Sequence, residues 1–296
     1  MMDWDTIKLF LALYRSGSAR AVSVEQNTSA STVTRRISQL EKALDIKLFN
    51  RHSAGFKLTE HGHSLLQVAL RMEADACEIE RKLQGKNSVM QGLIRLTIPS
   101  HFVVEPFVDY ISDFCALHPR VEIELMPSFS SLNLSRGEAD IAIRIFYKDG
   151  APPQDLIGTK LVEIDCANYA AKSYLESHDL GDASSANWIG WDDENQYPDW
   201  VVNSRYPHLP VKHRVNDPLA QINAAKAGLG LTMNACFLCD AEASLVRLPE
   251  GLHWHRFDVW MLSHPDLRDA ARFRELRQYL KQRFEADAKI WSGEAP

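Results

Sequence analysis

The chain has 296 residues, 45% of them hydrophobic and 24% charged, with 33 Lys and Arg against 39 Asp and Glu for a net charge of −6. That is the composition of an ordinary globular protein long enough for two or three cores, and its acidity excludes a general coat for nucleic acid, while no apolar run reaches the roughly 20 residues of a membrane span. The charge is unevenly spread: residues 1–60 hold 9 basic and 6 acidic side chains, a net of +3, and the other 236 hold 24 and 33, a net of −9, so a mildly basic head precedes an acidic body.

In the head, Trp4 to Tyr14 sets Ile7, Phe10, Leu11 and Tyr14 at helical spacing, and Gly17-Ser18 stops that helix and starts a short one, Ala19 to Glu25. After the turn Gln26-Asn27-Thr28, Ser29 is placed to cap a helix running to Leu44. At about 100° per residue, Val33, Ile37, Leu40 and Leu44 fall on one side of it. Ser31, Thr34, Arg35, Ser38 and Lys42 fall on the other, a face of hydroxyls and cations without an acid. Leu48 to Arg51, a Ser53-Ala54-Gly55 turn and Phe56 to Thr59 then read as a two-stranded wing with Arg51 and Lys57 near its tip. These proportions predict a winged helix-turn-helix over residues 1–58. Ser31, Thr34, Arg35 and Ser38 would face the major groove, Arg36 and Arg51 the phosphates, and Lys57 would stand at the wing, with Ser29 counted among the DNA-binding residues at the start of the helix, because phosphate contacts position such a head and base contacts specify its site. An ordinary solvated helix face is the plainer alternative for any one such helix taken alone.

The run from Gly17-Ser18 through Arg35 to Leu48-Phe49-x-Arg51 and Leu58-Thr59-x-x-Gly62 resembles the N-terminal signature of LysR-type transcriptional regulators in spacing and in residue type. Ala19, Gln26, Thr28 and Ser31 depart from it, standing where the family usually has Phe, Leu, Val and often Pro. The resemblance implies sequence-specific DNA binding, and RNA polymerase as a partner if the protein activates.

Residues 59–88 read as one long helix and a joint. Leu65, Ala69, Met72, Ala76, Ile79 and Leu83 are spaced 4, 3, 4, 3, 4, the seam of a coiled coil. A partner helix is expected, either from a second copy or from the chain's own body. In the resembled family this helix pairs two chains, which makes a homodimer the expectation and a homotetramer its extension.

From 89 to 296 strands and helices alternate as in a parallel α/β fold. Leu93 to Ile98, Val121 to Leu125 and Ile141 to Ile145 read as strands, with helices at Val104 to Leu117 and Leu132 to Arg136. A second lobe is expected to open near Leu161 to Cys166. It continues with a helix at Tyr169 to Glu176, strands at Trp188 to Trp191 and Val211 to Val215, and a helix at Leu219 to Ala227 that Asp217-Pro218 starts and Gly228 stops. A strand from Gly230 and a long strand at Trp254 to Leu262 follow. A last helix, Asp266 to about Ile290, returns to the first lobe. Lobe one is thus expected at about 93–162 and 265–293, and lobe two at about 163–264. Three phrases, Phe114-x-x-x-His118-Pro119-x-Val121-x-Ile123-x-Leu125, Gly137-Glu138-x-Asp140-Ile141-Ala142-Ile143-Arg144 and Ala225-x-Ala227-Gly228-Leu229-Gly230, resemble the effector domain of the same regulators, itself similar to periplasmic binding proteins. The stretch from about Asp179 to Pro210, with Trp188, Trp191 and Trp200, is the least family-like and reads as a lid or as lobe-two surface.

Ligands of open α/β sheets sit beyond the carboxyl ends of the strands. Ser100, His101 and Phe102 follow the first strand there, and Ser128, Phe129 and Ser130 the second, while Arg144 lies at the end of the third. Asn216 and Thr232 are the candidates on the facing lobe. The resemblance implies that the Ser100 turn and the Ser128 to Ser130 turn hold effector carboxylates, and Arg144 with His101 would suit an anionic effector. Helix capping by the serines and an ion pair between lobes at Arg144 are the structural alternatives.

Five scattered cysteines and an acidic, amphipathic N-terminus without signal-peptide character suit the reducing cytoplasm. Cys236-x-x-Cys239 allows a redox-responsive regulator as an alternative, beside small buried hydrophobes. No second pair completes a metal site, and the pairs His61/His63 and His253/His255 lack further ligands, so neither metal nor cofactor is expected. No GxSxG, P-loop, GxGxxG or HExxH motif supports an enzyme.

Overall fold

The computed structural model describes residues 3–52, 55–85, 89–128, 134, 137–148, 150–191, 197–248 and 254–294, and the chain divides into two compact units, the first made chiefly by its first 83 residues. No helix among the described residues is long and apolar enough to cross a membrane.

In the first unit, α1 (Trp4–Ser16), α2 (Ala19–Glu25) and α3 (Ala30–Leu44) precede the antiparallel strands β1 (Phe49–His52) and β2 (Gly55–Leu58) and the helix α4 (Glu60–Gly85). Each of the first three helices starts on a polar side chain that satisfies an amide its own helix cannot: Asp3 accepts from Thr6, Ser18 from Ala21 and Ser29 from Thr32. Caps of this kind contribute about 1 kcal/mol each. Ile7, Phe10, Leu11, Val22, Val33 and Ile37 fill the core. Tyr14 and Leu44, expected inside, are 43% and 39% exposed, because both lie in the last turn of their helices, where the neighbouring helices no longer cover them. Gln26 and Thr28 are exposed as well, so the polar departures at these positions bury nothing unsatisfied.

Two features join the wing to the helices. Gly55 has φ +118°, and a Cβ there would lie 2.4 Å from the Gly17 carbonyl oxygen, the same oxygen that accepts from the Phe56 N–H at 2.9 Å. Glu41, a buried acid on the packed side of α3, accepts from the Leu48 and Phe49 N–H groups at 2.9 and 3.2 Å and from Lys47 Nζ at 2.8 Å. Burial works to raise this carboxyl, but the Lys47 bond and the two amides outweigh it and hold it below the usual range. Glu41→Ala is therefore expected to lower the stability of the head by about 1–3 kcal/mol for each amide left without an acceptor. A carboxyl with a depressed folded-state pKa stabilises above its unfolded value and loses that contribution as pH falls through its folded value. The wild-type advantage over the variant in thermal unfolding should therefore shrink in acid and be full at neutral pH.

Along α4, Leu66 and Ala69 are buried in the same core, with Leu65 and Met72 half-buried against it. The expected seam is thus divided: Ala69 has no exposed surface left to give a partner, whereas Ile79 and Leu83 are 61% and 70% exposed. Ala76 is half-buried between these two regions.

The second unit opens with β3 (Gly92–Ile98), α5 (Glu105–Leu117), β4 (Val121–Pro127), β5 (Ile141–Tyr147) and β6 (Ile157–Ala171). It continues with α6 (Lys172–Ser177), β7 (Trp188–Gly190), α7 (Asp199–Val202), β8 (Val211–Arg214), α8 (Pro218–Lys226), β9 (Thr232–Ala235), α9 (Cys236–Cys239) and β10 (Leu245–Arg247). β11 (Trp254–Ser263), α10 (Ala271–Ala286) and α11 (Ala288–Ser292) complete it. The main sheet runs β10-β6-β11-β5-β3-β4, with β9 also on β6.

One lobe is built on β4, β3, β5, β11 and the first part of β6, under Phe107, Tyr110 and Phe114 of α5 and Phe273, Leu276 and Phe284 of α10. The other holds Tyr174, Trp188, Trp200, Leu209 and Ile222 in its own core. β6 serves both: residues 157–166 pair with β11, 166–169 with β9 and 169–171 with β10.

Several expectations are corrected. β11 pairs with β5 from Phe257 to Ser263, antiparallel, so it belongs to the first lobe rather than the second, and that lobe is mixed, with only β3, β4 and β5 parallel. Tyr169 to Ala171 extend β6 instead of starting a helix, and the last helix breaks at Asp287, whose Oδ2 accepts from the Tyr110 hydroxyl at 2.7 Å. The helix expected at Leu132 to Arg136 lies, but for Leu134, outside the described residues.

Candidate functional site

The polar face of α3 is arranged from its cap onward. Ser29 Oγ accepts from the Thr32 N–H at 3.1 Å and lies 2.8 Å from both Ser31 Oγ and Thr32 Oγ1. Ser31, Arg35 and Arg36 are exposed, and Thr34 and Ser38 are half-buried. From β1, Arg51 reaches across, with Nη2 3.5 Å from Ser38 Oγ and its guanidinium centre 5.5 Å from the Phe56 ring centroid. Lys57, opposite Asn50 in the hairpin, is exposed. Helix and wing thus bring Ser38 and Arg51 together, while Ser29 and Ser31 occupy the amino-terminal end of the same helix, where the backbone N–H groups favour an anion. Asp3 is held below the usual carboxylate range chiefly by hydrogen bonds from Thr6, with a smaller contribution from Arg36. Arg36 therefore acts on the start of α1 as well as on solvent.

Between the two lobes of the second unit lies a cavity of about 860 Å³, within the size range of small-molecule sites. His101, Phe102, Ile145, Tyr147, Ile164 and Phe257 form the wall on the first lobe. Trp191, Trp200, Asn216, Met233, Asn234 and Phe237 form most of the other. Of the nine residues expected at a ligand, three are in this lining: His101, Phe102 and Asn216. Arg144 is not. Side chains alternate along a strand, so Ile145 and Tyr147 of β5 face the cavity and Arg144 faces the other side, where its Nη1 donates to Ile143 O at 2.7 Å and its Nη2 to Thr97 Oγ1 at 3.2 Å. Thr232 is fully buried and donates to Gln221 Oε1 at 3.1 Å. Ser100 opens a short 3-10 turn and Ser128 donates its N–H to Ile98 O, and neither lines the cavity. Phe129 and Ser130 lie outside the described residues.

No Lys, Arg, Asp or Glu is among the described lining residues. His101 is buried, and burial pushes its imidazole down to about 4 against a smaller opposing pull from Asp217, so it is neutral at physiological pH. Asn234 is committed to the backbone, donating to Pro218 O and accepting from the Ala235 N–H. Within the lining, Phe102 of one lobe and Phe237 of the other lie 5.1 Å apart, and both pack on Trp291 of α11 at 5.6 and 4.9 Å.

Cys166, Cys236 and Cys239 are buried and form no disulfide, and burial pushes the Cys236 thiol up and the Cys239 thiol well up. The thiolate is the reactive form, so this environment favours small buried hydrophobes over a redox pair. Among the described residues no three metal-ligating side chains come together.

Residue spacing alone does not reveal the aromatic wall. Its one signal in the sequence is the concentration of Trp188, Trp191 and Trp200 in an otherwise irregular stretch, of which Trp191 and Trp200 line the cavity while Trp188 is buried in the lobe core.

Comparison with known proteins adds the following. Residues 4–63 match the family model "Bacterial regulatory helix-turn-helix protein, lysR family", and residues 87–285 match "LysR substrate binding domain". The probable HTH-type transcriptional regulator LtrA of Klebsiella pneumoniae is 24% identical, covering 93% of each chain. The Mau operon transcriptional activator of Paracoccus denitrificans is 25% identical over 90% of this chain and 92% of its own. The full-length structure of the Vibrio cholerae virulence activator AphB superposes with a TM-score of 0.63 at 21% identity, covering 94% of this chain and 98% of that one.

Proposed function

The chain belongs to the LysR-type family of transcriptional regulators, a family of regulators and not of enzymes, and from that premise we propose that it binds a two-fold operator as a homodimer or a pair of dimers and changes that binding when a small molecule fills the cavity between its lobes. The observation that carries the DNA-binding half is the polar face of α3, with Ser31, Arg35 and Arg36 exposed and Arg51 of the wing bonded to Ser38. A cation pair anchored on a helix and on its wing places base contacts and phosphate contacts on one surface. In this reading Ser31, Thr34, Arg35 and Ser38 meet the bases, Arg36 and Arg51 the phosphates, and Lys57 the flank.

Ile79 and Leu83 of α4 supply the pairing surface. Effector control follows if the ligand prefers one arrangement of the lobes, since binding can shift an equilibrium only by its difference in affinity for the two states. The contacts of Phe102 and Phe237 with Trp291 give a route by which occupancy alters both lobes together. Contact with RNA polymerase belongs to this reading only if regulation is positive.

The test is fluorescence anisotropy of the full chain on a duplex from its own upstream region and on an unrelated duplex of the same length. A preference for the former, with affinity for both falling steeply as salt rises, supports the proposal. Equal affinity for both would reject it.

A further inference from the structure

We propose that the ligand of the inter-lobe cavity is an uncharged molecule built on an aromatic ring system, held by ring faces and oriented by His101 and Asn216, and not a carboxylate. This rests on the reading of the cavity as the effector site and names what that site selects.

The argument is one of desolvation. A carboxylate entering a cavity loses its hydration, and the loss is made good only by a cation or by several aimed donors. Here Arg144 is turned to the opposite face of β5, His101 is neutral, and no other described lining side chain is cationic. What the walls do offer is ring surface: Trp191 and Trp200 on one side, and on the other Tyr147 and Phe257, themselves 5.1 Å apart and tilted by 45°. Flat apolar ligands gain both from burial and from offset or edge contacts with such rings. A hydroxyl, carbonyl or ring nitrogen on the ligand would meet the polar edges that Asn216 and His101 bring to the lining, whereas the Asn234 amide bonds Pro218 and Ala235. The volume accommodates one or two fused rings with substituents.

A matched series tests this on the full-length protein by isothermal titration: 2-naphthol, 2-naphthoate and 2-naphthylmethylammonium, which share one ring system and differ in charge. The neutral alcohol is expected to bind at least tenfold more tightly than either ion. Trp200→Ala is expected to weaken 2-naphthol at least fivefold. Because Trp200 also packs in the lobe core, a second variant is used: Tyr147→Arg, at a side chain 69% exposed, should fold normally and tighten 2-naphthoate at least fivefold. The inference is overturned if either ion binds as well as the alcohol, if none of the three binds, or if neither variant alters binding. The anisotropy measurement on DNA separates this from the regulator reading. Tight 2-naphthol binding without any effect on duplex affinity would leave the ligand class standing and remove effector control.

Discussion

Arg35→Ala is expected to narrow the difference in affinity between operator and random duplex by about 1–3 kcal/mol, through loss of specific binding. The side chain is exposed on the polar face of α3 and takes no part in the core, so the thermal unfolding of the variant should match wild type. Arg51→Ala is the contrasting case. Its guanidinium bridges the wing and Ser38, and its loss should weaken specific and random duplexes in parallel, lowering the salt slope by about one. Anisotropy titrations at several salt concentrations read both effects. If Arg35→Ala leaves discrimination intact, the reading face of α3 has been assigned to the wrong residues.

A larger effect is expected from Ile79→Asp combined with Leu83→Asp. Both positions are open apolar surface on the far half of α4, so two carboxylates there cost the isolated chain little and a paired helix a great deal. The variant should sediment as a monomer. Because linking two heads converts the second contact into an intramolecular event, operator affinity should fall by about 10²- to 10⁴-fold. Ala69→Asp, by contrast, places a charge in the head's own core and should unfold it. A variant that remains dimeric with Asp at both 79 and 83 would move the pairing surface elsewhere.

The sequence was most informative where local rules act alone. Period 3.6 and cap chemistry suffice for α1 to α3, and Ser29, Asp217 and Gly228 stand where those rules put them, with Asp217 accepting from Ala220 at 2.8 Å. What escaped was tertiary. Nothing in the residues around Glu41 says that two amides of the following loop and strand will close on its carboxylate. The spacing of the apolar residues along α4 cannot say which of them the head keeps for itself, as it keeps Ala69. Arg144 is expected at the end of the third strand, but β5 continues to Tyr147, and the orientation of Arg144 follows from strand alternation once Ile145 and Tyr147 are known to face inward. β11 was assigned to the wrong lobe because a strand's partners are set by contacts distant in sequence, which periodicity does not record.

β6 carries a mechanical consequence. Cys166 pairs with Trp254 of β11 and with Ala235 of β9, so the halves of the second unit meet within a paired strand, with a register shift between His255 and Phe257 beside the junction. Rotation there cannot be the free swing of a loop. A relative movement of the halves would have to be absorbed as added coil in one extended segment, against the hydrogen bonds that β6 makes on either side of Cys166.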